Sequence, residues 1–226
     1  QIVRDAGCEW PEVKLFQGDC LEVMARLPDA SVDMILCDLP YGTTACKWDT
    51  VIPFEPLWRQ YRRIAKRNAA IVLTAAMPFT AALVMSNPAW FRYEWVWLKS
   101  AGGGFLNANR QPLKRHENVL VFSSQQGMYS PQMERGKPYL TVSKSVGESF
   151  QDPTVAGWQT SNDGWRYPTS CLKVANPAGD HPTQKPVALF EYLIRTYTHE
   201  GALVLDPFVG SGTTAVAARN TKRRYV

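Results

Sequence analysis

A chain of 226 residues and 25.4 kDa is long enough to bury one large core, or one core with a small insert. Hydrophobic residues make up 45% and charged residues 20% of the sequence, which excludes a chain that is disordered throughout. Five cysteines without a CxxC pair and only three histidines argue against a disulfide framework and against a metal site. The longest apolar run, 69–77, is too short to cross a bilayer and no signal peptide precedes Gln1, so we expect a cytoplasmic location.

The net charge of +5 is unevenly distributed along the chain. Residues 1–58 carry 4 Lys or Arg against 10 Asp or Glu, whereas residues 59–226 carry 21 against 10. The basic excess is compatible with a polyanionic partner, and scattered solvated side chains explain it equally well on charge alone.

Apolar runs alternate with amphipathic stretches, a pattern that predicts an α/β protein with a mostly parallel sheet and crossover helices. In chain order the predicted strands are 13–17, 31–37, 69–74, 91–98, 116–122, 201–206 and one that begins near residue 223. The predicted helices are 20–27, 54–67, 79–86, 186–197 and 212–220. A loop is predicted over 41–53 and a flexible glycine turn at 102–104.

The segment 123–180 has no clear period and is rich in Gly, Pro, Ser, Trp and Tyr. We therefore predict a loop-rich insert that is ordered by its aromatic side chains. The remaining residues, 1–122 and 181–226, are predicted to form one domain.

The first turn of chemical interest is Asp206-Pro207-Phe208-Val209-Gly210-Ser211-Gly212-Thr213-Thr214, which lies between a predicted strand and a predicted helix. Glycines permit a tight turn and let a ligand approach outward-pointing helix N–H groups. The third glycine of the dinucleotide fingerprint is missing, which favours a nucleoside cofactor without a pyrophosphate over NAD. Asp206 could bind a cationic ammonium group, and a purely structural turn is the alternative.

The second turn, Asp38-Leu39-Pro40-Tyr41, ends another buried strand. Asp38 and the carbonyl of a stiff turn offer two hydrogen-bond acceptors, and Tyr41 offers an aromatic face. Together they match an exocyclic amino group on a planar heterocycle. An ordinary strand-ending turn, with Asp as a cap and Tyr packed at the edge, is the alternative.

The two turns in this order resemble the DNA amino-methyltransferases that use S-adenosylmethionine, in the class whose catalytic motif precedes the cofactor motif. Asp38–Tyr41 is similar to the D-P-P-Y pattern of that family, and Asp206–Thr214 is similar to its cofactor loop. Further matches are Gly18-Asp19-Cys20-Leu21, His116-Glu117 and His181-Pro182-Thr183-Gln184-Lys185-Pro186. The resemblance covers about 13–122 and 175–226, and implies a Rossmann-like methyltransferase sheet with helices on both faces.

The resemblance also implies roles for individual residues. Asp38, Leu39, Pro40 and Tyr41 would hold the target base. Asp19, next to Cys20, would bind the adenine amino group of the cofactor, and a helix N-cap is an equally good and compatible role for Asp19. The other expected cofactor contacts are Thr183, Lys185, Asp206, Phe208, Gly210, Ser211, Gly212 and Thr213. Thr183 and Lys185 would lie near the cofactor carboxylate.

Two departures from the family pattern matter. Position 39 is Leu where the family usually has Pro, but the acceptor is a backbone carbonyl, so we expect reduced turn rigidity rather than altered chemistry. The acidic residue that would contact the ribose is expected beyond Val226.

Asp at position 38 favours adenine-N6 methylation in double-stranded DNA, because the cytosine-N4 enzymes more often begin this tetrapeptide with Ser. Cytosine-N4 methylation on the same scaffold and a catalytically silent nucleic-acid-binding module remain alternatives, and RNA or a protein amide is a weaker one. Cytosine-C5 chemistry is excluded because no Pro-Cys pair occurs. The sequence does not determine the recognition site or whether the enzyme acts beside a nuclease in a restriction-modification system. It also leaves the oligomeric state open, with a homodimer as one possibility.

The insert is expected to be the target-recognition region. Asn107, Gln132 and Gln159 are candidates for reading bases. The loop at 41–53 and the turn at 102–104 are candidates for closing over a flipped base. Trp48 could pack against that base, and a plain core role explains this residue equally well. The candidate phosphate contacts are Arg110, Lys114, Arg115, Arg135, Lys137, Lys144, Arg166 and Lys173. For each of these alone, ordinary surface charge is the commoner explanation.

Overall fold

The computed structural model describes residues 12–42, 49–142, 159–175 and 184–226. Its described residues contain five α-helices. They are α1 Cys20–Ala25, α2 Phe54–Ile64, α3 Phe79–Ser86, α4 Val187–Tyr197 and α5 Thr213–Asn220. The described strands are β1 Val32–Asp38, β2 Ala65–Ala75, β3 Phe91–Gly103, β4 Lys114–Phe122, β5 Glu134–Arg135, β6 Tyr139–Val142, β7 Gln159–Asn162, β8 Trp165–Arg166, β9 Cys171–Lys173, β10 Leu203–Leu205 and β11 Arg224–Tyr225. No helix among the described residues is long and apolar enough to cross a membrane.

Seven of these strands form the main sheet, in the order β11-β10-β1-β2-β4-β3-β9. All neighbours pair in parallel except β4, which is antiparallel to both β2 and β3. The strand order reverses between β10 and β1, because the chain leaves β1 toward β2 on one side and returns to β10 on the other. In open α/β sheets this switch point is where ligands bind, at the carboxyl ends of the strands.

Apolar side chains on the two faces of the sheet form separate cores. Along β1, Ile35 and Cys37 pack into one core, with the apolar face of α2, and Met34 and Leu36 pack into the other, with α4 and α5. The alternation follows from the two-residue period of a strand. Every one of these four side chains is fully buried, so the position of the strand end at Asp38 is fixed by packing on both sides.

Helix boundaries follow from local chemistry at several points. The Asp19 carboxylate accepts hydrogen bonds from the backbone N–H groups of Leu21 and Glu22, at 2.9 and 3.2 Å, and thereby caps α1. In α2, Leu57, Trp58, Tyr61 and Ile64 repeat at helical spacing and are all buried.

The predicted elements are largely confirmed, with three corrections. The predicted strand at 13–17 is wrong: Val13 makes only an isolated parallel bridge to Tyr225. The predicted helix at 54–67 ends at Ile64, because Ala65 already pairs with Val32 of β1. The predicted glycine turn is also partly wrong, since Gly102 and Gly103 belong to β3 and only Gly104, at φ 85°, has left-handed backbone.

A second compact unit spans Pro131–Thr169. Within its described residues, β5 pairs with β8 and β6 pairs with β7, both antiparallel. This unit is narrower than the predicted insert 123–180, because Cys171–Lys173 pairs in parallel with Val96–Leu98 of the main sheet. A three-residue strand carries too little periodicity to be recognised from its sequence.

Candidate active site

Asp38 is the last residue of β1 and lies at the switch point of the sheet. Its side chain is 31% exposed. Its Oδ1 accepts hydrogen bonds from the hydroxyls of Tyr41, at 2.9 Å, and Thr74. The two hydroxyls also lie 2.9 Å apart, so the three oxygens form a closed triangle. Because Thr74 lies opposite Asp38 in the register of β1 and β2, the sheet itself sets this geometry.

The second carboxylate oxygen of Asp38 accepts a hydrogen bond from Lys185 Nζ at 2.7 Å. Lys185 also lies 3.4 Å from Glu117 Oε2, and Glu117 Oε1 pairs with Lys99. Burial lowers the pKa of the Lys185 ammonium, but the charges of Asp38 and Glu117 more than offset that effect and leave the pKa above its ordinary value. Lys185 is therefore a buried cation held between two carboxylates.

The ring of Tyr41 has an aromatic and a cationic neighbour. It stacks on Phe79 with ring centroids 5.3 Å apart and an interplanar angle of 24°, and Lys185 Nζ lies 5.6 Å from its centroid. Burial and the neighbouring charges of Asp38 and Glu117 raise the pKa of the Tyr41 hydroxyl well above its usual range. The phenol therefore stays protonated and remains a hydrogen-bond donor at neutral pH.

Leu39 and Pro40, between these residues, are both buried. The Leu39 side chain is 4% exposed and packs in the same core as Ile35 and Cys37. A second proline at position 39 would stiffen this turn, and in its place the packing of the Leu39 side chain restrains it. Leu39 still provides its backbone carbonyl as a hydrogen-bond acceptor.

Asp206 follows β10, the strand adjacent to β1, and is 5% exposed. Its Oδ1 accepts from the backbone N–H of Phe208 at 2.9 Å, and its Oδ2 accepts from the Thr214 hydroxyl at 2.5 Å. Burial raises the pKa of the Asp206 carboxyl to about 7, and these hydrogen bonds counteract the rise only in part. In this structure Asp206 holds the turn and the first turn of α5 together.

The glycine turn itself requires glycine for conformational reasons. Gly210 and Gly212 have φ values of 50° and 80°, in the left-handed region that other residues rarely adopt. A Cβ atom built on Gly212 would meet nothing within 4 Å, so the space beside this turn is open. Ser211 and Thr213 face each other across it, with their hydroxyls 3.2 Å apart, and Thr213 also donates to the Lys185 carbonyl.

A surface groove joins the two acidic turns of the predicted cofactor site. Its lining includes Gly18 and Cys20 from the first turn and Asp206, Pro207 and Val209 from the second. The rest of its lining comes from Lys14, Leu15, Phe16, Val23, Met24, Leu27, Leu205, Tyr225 and Val226. Residues that are almost 190 positions apart in the sequence thus meet at the carboxyl end of β10.

The residues predicted to contact DNA lie in several parts of the chain, and some of them already make contacts within the protein. Arg110, Lys114 and Arg115 are exposed around the β3–β4 connection. Arg135 lies over the Trp165 ring at 5.0 Å. Arg166 lies over the Tyr139 ring at 4.5 Å and donates to Asn162 and to the Lys137 carbonyl, so it has an internal structural role. Lys144 and Thr183, like Trp48, lie outside the described residues.

The sequence motifs assign no role to three residues in or beside the Asp38 cluster. Thr74 and Glu117 contribute directly to the cluster, and Lys99 balances the charge of Glu117. Glu117 was noted only as part of a family pattern. Thr74 lies near the end of β2 and Lys99 lies within β3, and polar residues at such positions in apolar strands are too common to single out either one.

Comparisons with known proteins give one consistent family. The family described as DNA methylase, N6_N4_Mtase, matches residues 32–226. The Type II methyltransferase M.HpaI of Haemophilus parainfluenzae is 26% identical over 223 residues, which cover 93% of this chain and 68% of that protein.

Two solved structures share the fold. The M1.HpyAVI–SAM complex has a TM-score of 0.62 at 21% identity, and covers 94% of this chain and 91% of its own. PvuII DNA methyltransferase, which is cytosine-N4-specific, has a TM-score of 0.65 at 16% identity, with 94% and 80% coverage. These likenesses confirm the predicted Rossmann-like methyltransferase fold.

Proposed function

We propose that this chain, which belongs to the N6_N4_Mtase family of DNA methylases, transfers a methyl group from S-adenosylmethionine to the N6 amino group of adenine in double-stranded DNA. The observation that carries the proposal is the Asp38 cluster. A partly exposed carboxylate is held at the switch point of the sheet by Tyr41, Thr74 and Lys185. Asp38 ends the strand that pairs with β10, and the end of β10 lines the groove.

The residues of that groove fit S-adenosylmethionine. The open space beside Gly212 admits a ligand close to the backbone, and apolar side chains such as Leu15, Phe16 and Val209 offer contacts for an adenine ring. Asp19 caps α1 through Oδ1, which is compatible with an additional contact through its other oxygen. When bound, the cofactor supplies an electrophilic methyl group on a sulfonium.

Asp38 has room for one more hydrogen bond. An ionised carboxylate offers about four lone-pair positions. Oδ1 already accepts from Tyr41 and Thr74, and Oδ2 accepts only from Lys185 among the described residues. The remaining position on Oδ2 is suited to one N–H of the target amino group, and the carbonyl of Leu39 is suited to the other.

These two acceptors address the main difficulty of the reaction. The lone pair of an aromatic amine is delocalised into the ring, which makes the nitrogen a poor nucleophile. Hydrogen bonds from both N–H groups to fixed acceptors favour a pyramidal nitrogen and aim its lone pair. Asp38 is also the nearest acceptor for the proton that the nitrogen loses.

Lys185 fixes the carboxylate in this arrangement. The resemblance placed this residue near the cofactor carboxylate, but its ammonium lies 2.7 Å from Asp38 and 3.4 Å from Glu117. A buried cation between two carboxylates keeps Asp38 in one orientation, and the phenol of Tyr41 does the same from the other oxygen. The Tyr41 ring, backed by Phe79, would stack on a base rotated out of the duplex.

Target recognition is proposed for the predicted insert 123–180, which includes the compact unit Pro131–Thr169. Its Arg135 and Lys137 are exposed and suited to phosphate contacts.

The test is methylation of unmethylated DNA with isotopically labelled cofactor, followed by digestion to nucleosides and mass spectrometry. Labelled N6-methyl-2′-deoxyadenosine is expected. Labelled N4-methyl-2′-deoxycytidine instead would move the chain to the other branch of its family, and DNA binding without any methylated nucleoside would favour the silent module. Competition by RNA tests whether the acceptor is DNA.

A further inference from the structure

The connection between β3 and β4 carries two apolar side chains that no other described residue covers. Leu106 is 100% exposed and Phe105 is 79% exposed. They lie in a short 3₁₀ helix, Phe105–Asn107, that begins after the left-handed Gly104. Adjacent exposed Phe and Leu side chains are unfavourable in water, so their arrangement points to a partner.

The connection extends from the edge of the sheet that carries Asp38. Strand β2 ends with Ala75 opposite Asn118, whereas β3 and β4 continue to pair beyond that point, as far as Gly103 and Lys114. Strand β3 runs parallel to β1, so its carboxyl end and Asp38 lie on the same side of the sheet. Lys99 and Glu117, at the base of this extension, join it to the Asp38 cluster through Lys185.

The charge around the two apolar side chains is of one sign. No Asp or Glu occurs between residues 95 and 116, a stretch that contains Arg110, Lys114 and Arg115. All three of these basic side chains are exposed. The outer part of the hairpin, 95–116, thus presents exposed apolar side chains beside basic and no acidic ones. Such a surface is complementary to duplex DNA, because the cations can contact phosphates while the apolar tip contacts bases.

We propose that the tip of the β3–β4 hairpin, Phe105 and Leu106, is a wedge that inserts into duplex DNA beside the base presented to Asp38. Phe and Leu are among the side chains that insert between base steps. The wedge would stack in the space that the rotated base leaves, while Arg110, Lys114 and Arg115 hold the flanking phosphates. This inference rests on the proposed function, since it assumes a duplex substrate and a base taken out of the stack.

The inference is tested by binding rather than by methylation, so that its failure is distinct from failure of the proposed function. Two short duplexes of one sequence are compared, one intact and one with a single central abasic site, which leaves a ready-made gap in the stack. The full chain is expected to bind the abasic duplex about tenfold more tightly, the gain that corresponds to stacking one base position on an aromatic ring. The double variant Phe105→Ser, Leu106→Ser is expected to lose this preference.

The matched control is Met85→Ser, which removes another apolar side chain, 72% exposed, near the end of α3. The control variant is expected to keep the preference for the abasic duplex, and the thermal unfolding of all variants is compared to establish that they fold. Equal ratios of the two dissociation constants in the full chain and in the double variant would overturn the proposal. A second result would also overturn it: the full chain self-associates, and the double variant abolishes this self-association but leaves the ratio of dissociation constants unchanged. The tip would then be covered by a second copy of the chain rather than by DNA.

Discussion

The turns after β1 and β10 look alike in sequence, yet the structure uses their carboxylates differently. Each turn begins with Asp at the carboxyl end of a buried parallel strand. The Asp38 side chain is partly exposed and is held by Tyr41 of its own turn and by Thr74 and Lys185 from two other parts of the chain, whereas Asp206 is buried and is held entirely by its own turn. A carboxylate fixed from outside its turn keeps capacity for a substrate, while one fixed from within mainly shapes the backbone.

The largest effect that separates the two turns is expected from Asp38→Ala. Loss of an acceptor for the reacting amino group should lower the methyl-transfer rate by about 10²–10³-fold, as for removal of one preorganised hydrogen-bonding group elsewhere. Single-turnover kinetics measure this change, and cofactor and DNA binding should be retained. Asp29→Ala, which removes an exposed carboxylate paired with Arg63, is the control. Unchanged turnover in Asp38→Ala would contradict the proposed role.

Asp206→Ala is expected to act on stability in the first place. It leaves the Phe208 N–H and the Thr214 hydroxyl without their acceptor, which should lower the free energy of unfolding by about 3 kcal/mol. Asp206→Asn keeps an acceptor for Phe208 and should cost much less. Chemical denaturation measures both variants. An equal loss in the two would indicate that charge, not hydrogen bonding, is what the turn needs.

The raised pKa of Asp206 predicts how the contribution of this residue to folding stability changes with pH. The change has the opposite sign to that of an ordinary ion-paired aspartate. Its pKa is about 7 in the folded chain and 3.8 in the reference state, so the folded state binds the proton more tightly. Between these values the contribution of Asp206 to stability should fall as pH rises, by at most about 1.4 kcal/mol per pH unit. The difference in unfolding free energy between the protein and Asp206→Asn, measured from pH 5 to pH 8, isolates this effect. A difference that does not vary with pH would refute it.

The smallest effect is expected from Thr74→Val, which preserves shape and removes one of the two hydroxyls on Asp38 Oδ1. Tyr41 and Lys185 still hold the carboxylate, so the turnover rate should fall only about fivefold, the equivalent of one ordinary hydrogen bond. Thr196→Val removes a fully buried threonine hydroxyl from α4 and is the control. If both substitutions reduced turnover equally, the triangle around Asp38 would have no special role.

Local sequence was sufficient for most helices and for the interior strands. Phe79–Ser86 and Val187–Tyr197 were predicted almost to the residue, because their apolar periodicity and flanking prolines are local signals. Strand ends were less accurate. The extensions of β2 back to Ala65 and of β3 on to Gly103 depend on pairing with neighbouring strands, which no local pattern reports.

For the candidate site, the sequence by itself determined the two turns and the family. A strand followed by Asp38-Leu39-Pro40-Tyr41 and a strand followed by the glycine turn are short, contiguous patterns, since the backbone conformations that they need are set by adjacent residues. The tertiary structure alone decided what holds each carboxylate. Lys185 reaches Asp38 across 147 positions of the chain, and Glu117 and Thr74 arrive from two other strands. Such contacts depend on the order of strands in the sheet, which is fixed by packing of the whole domain.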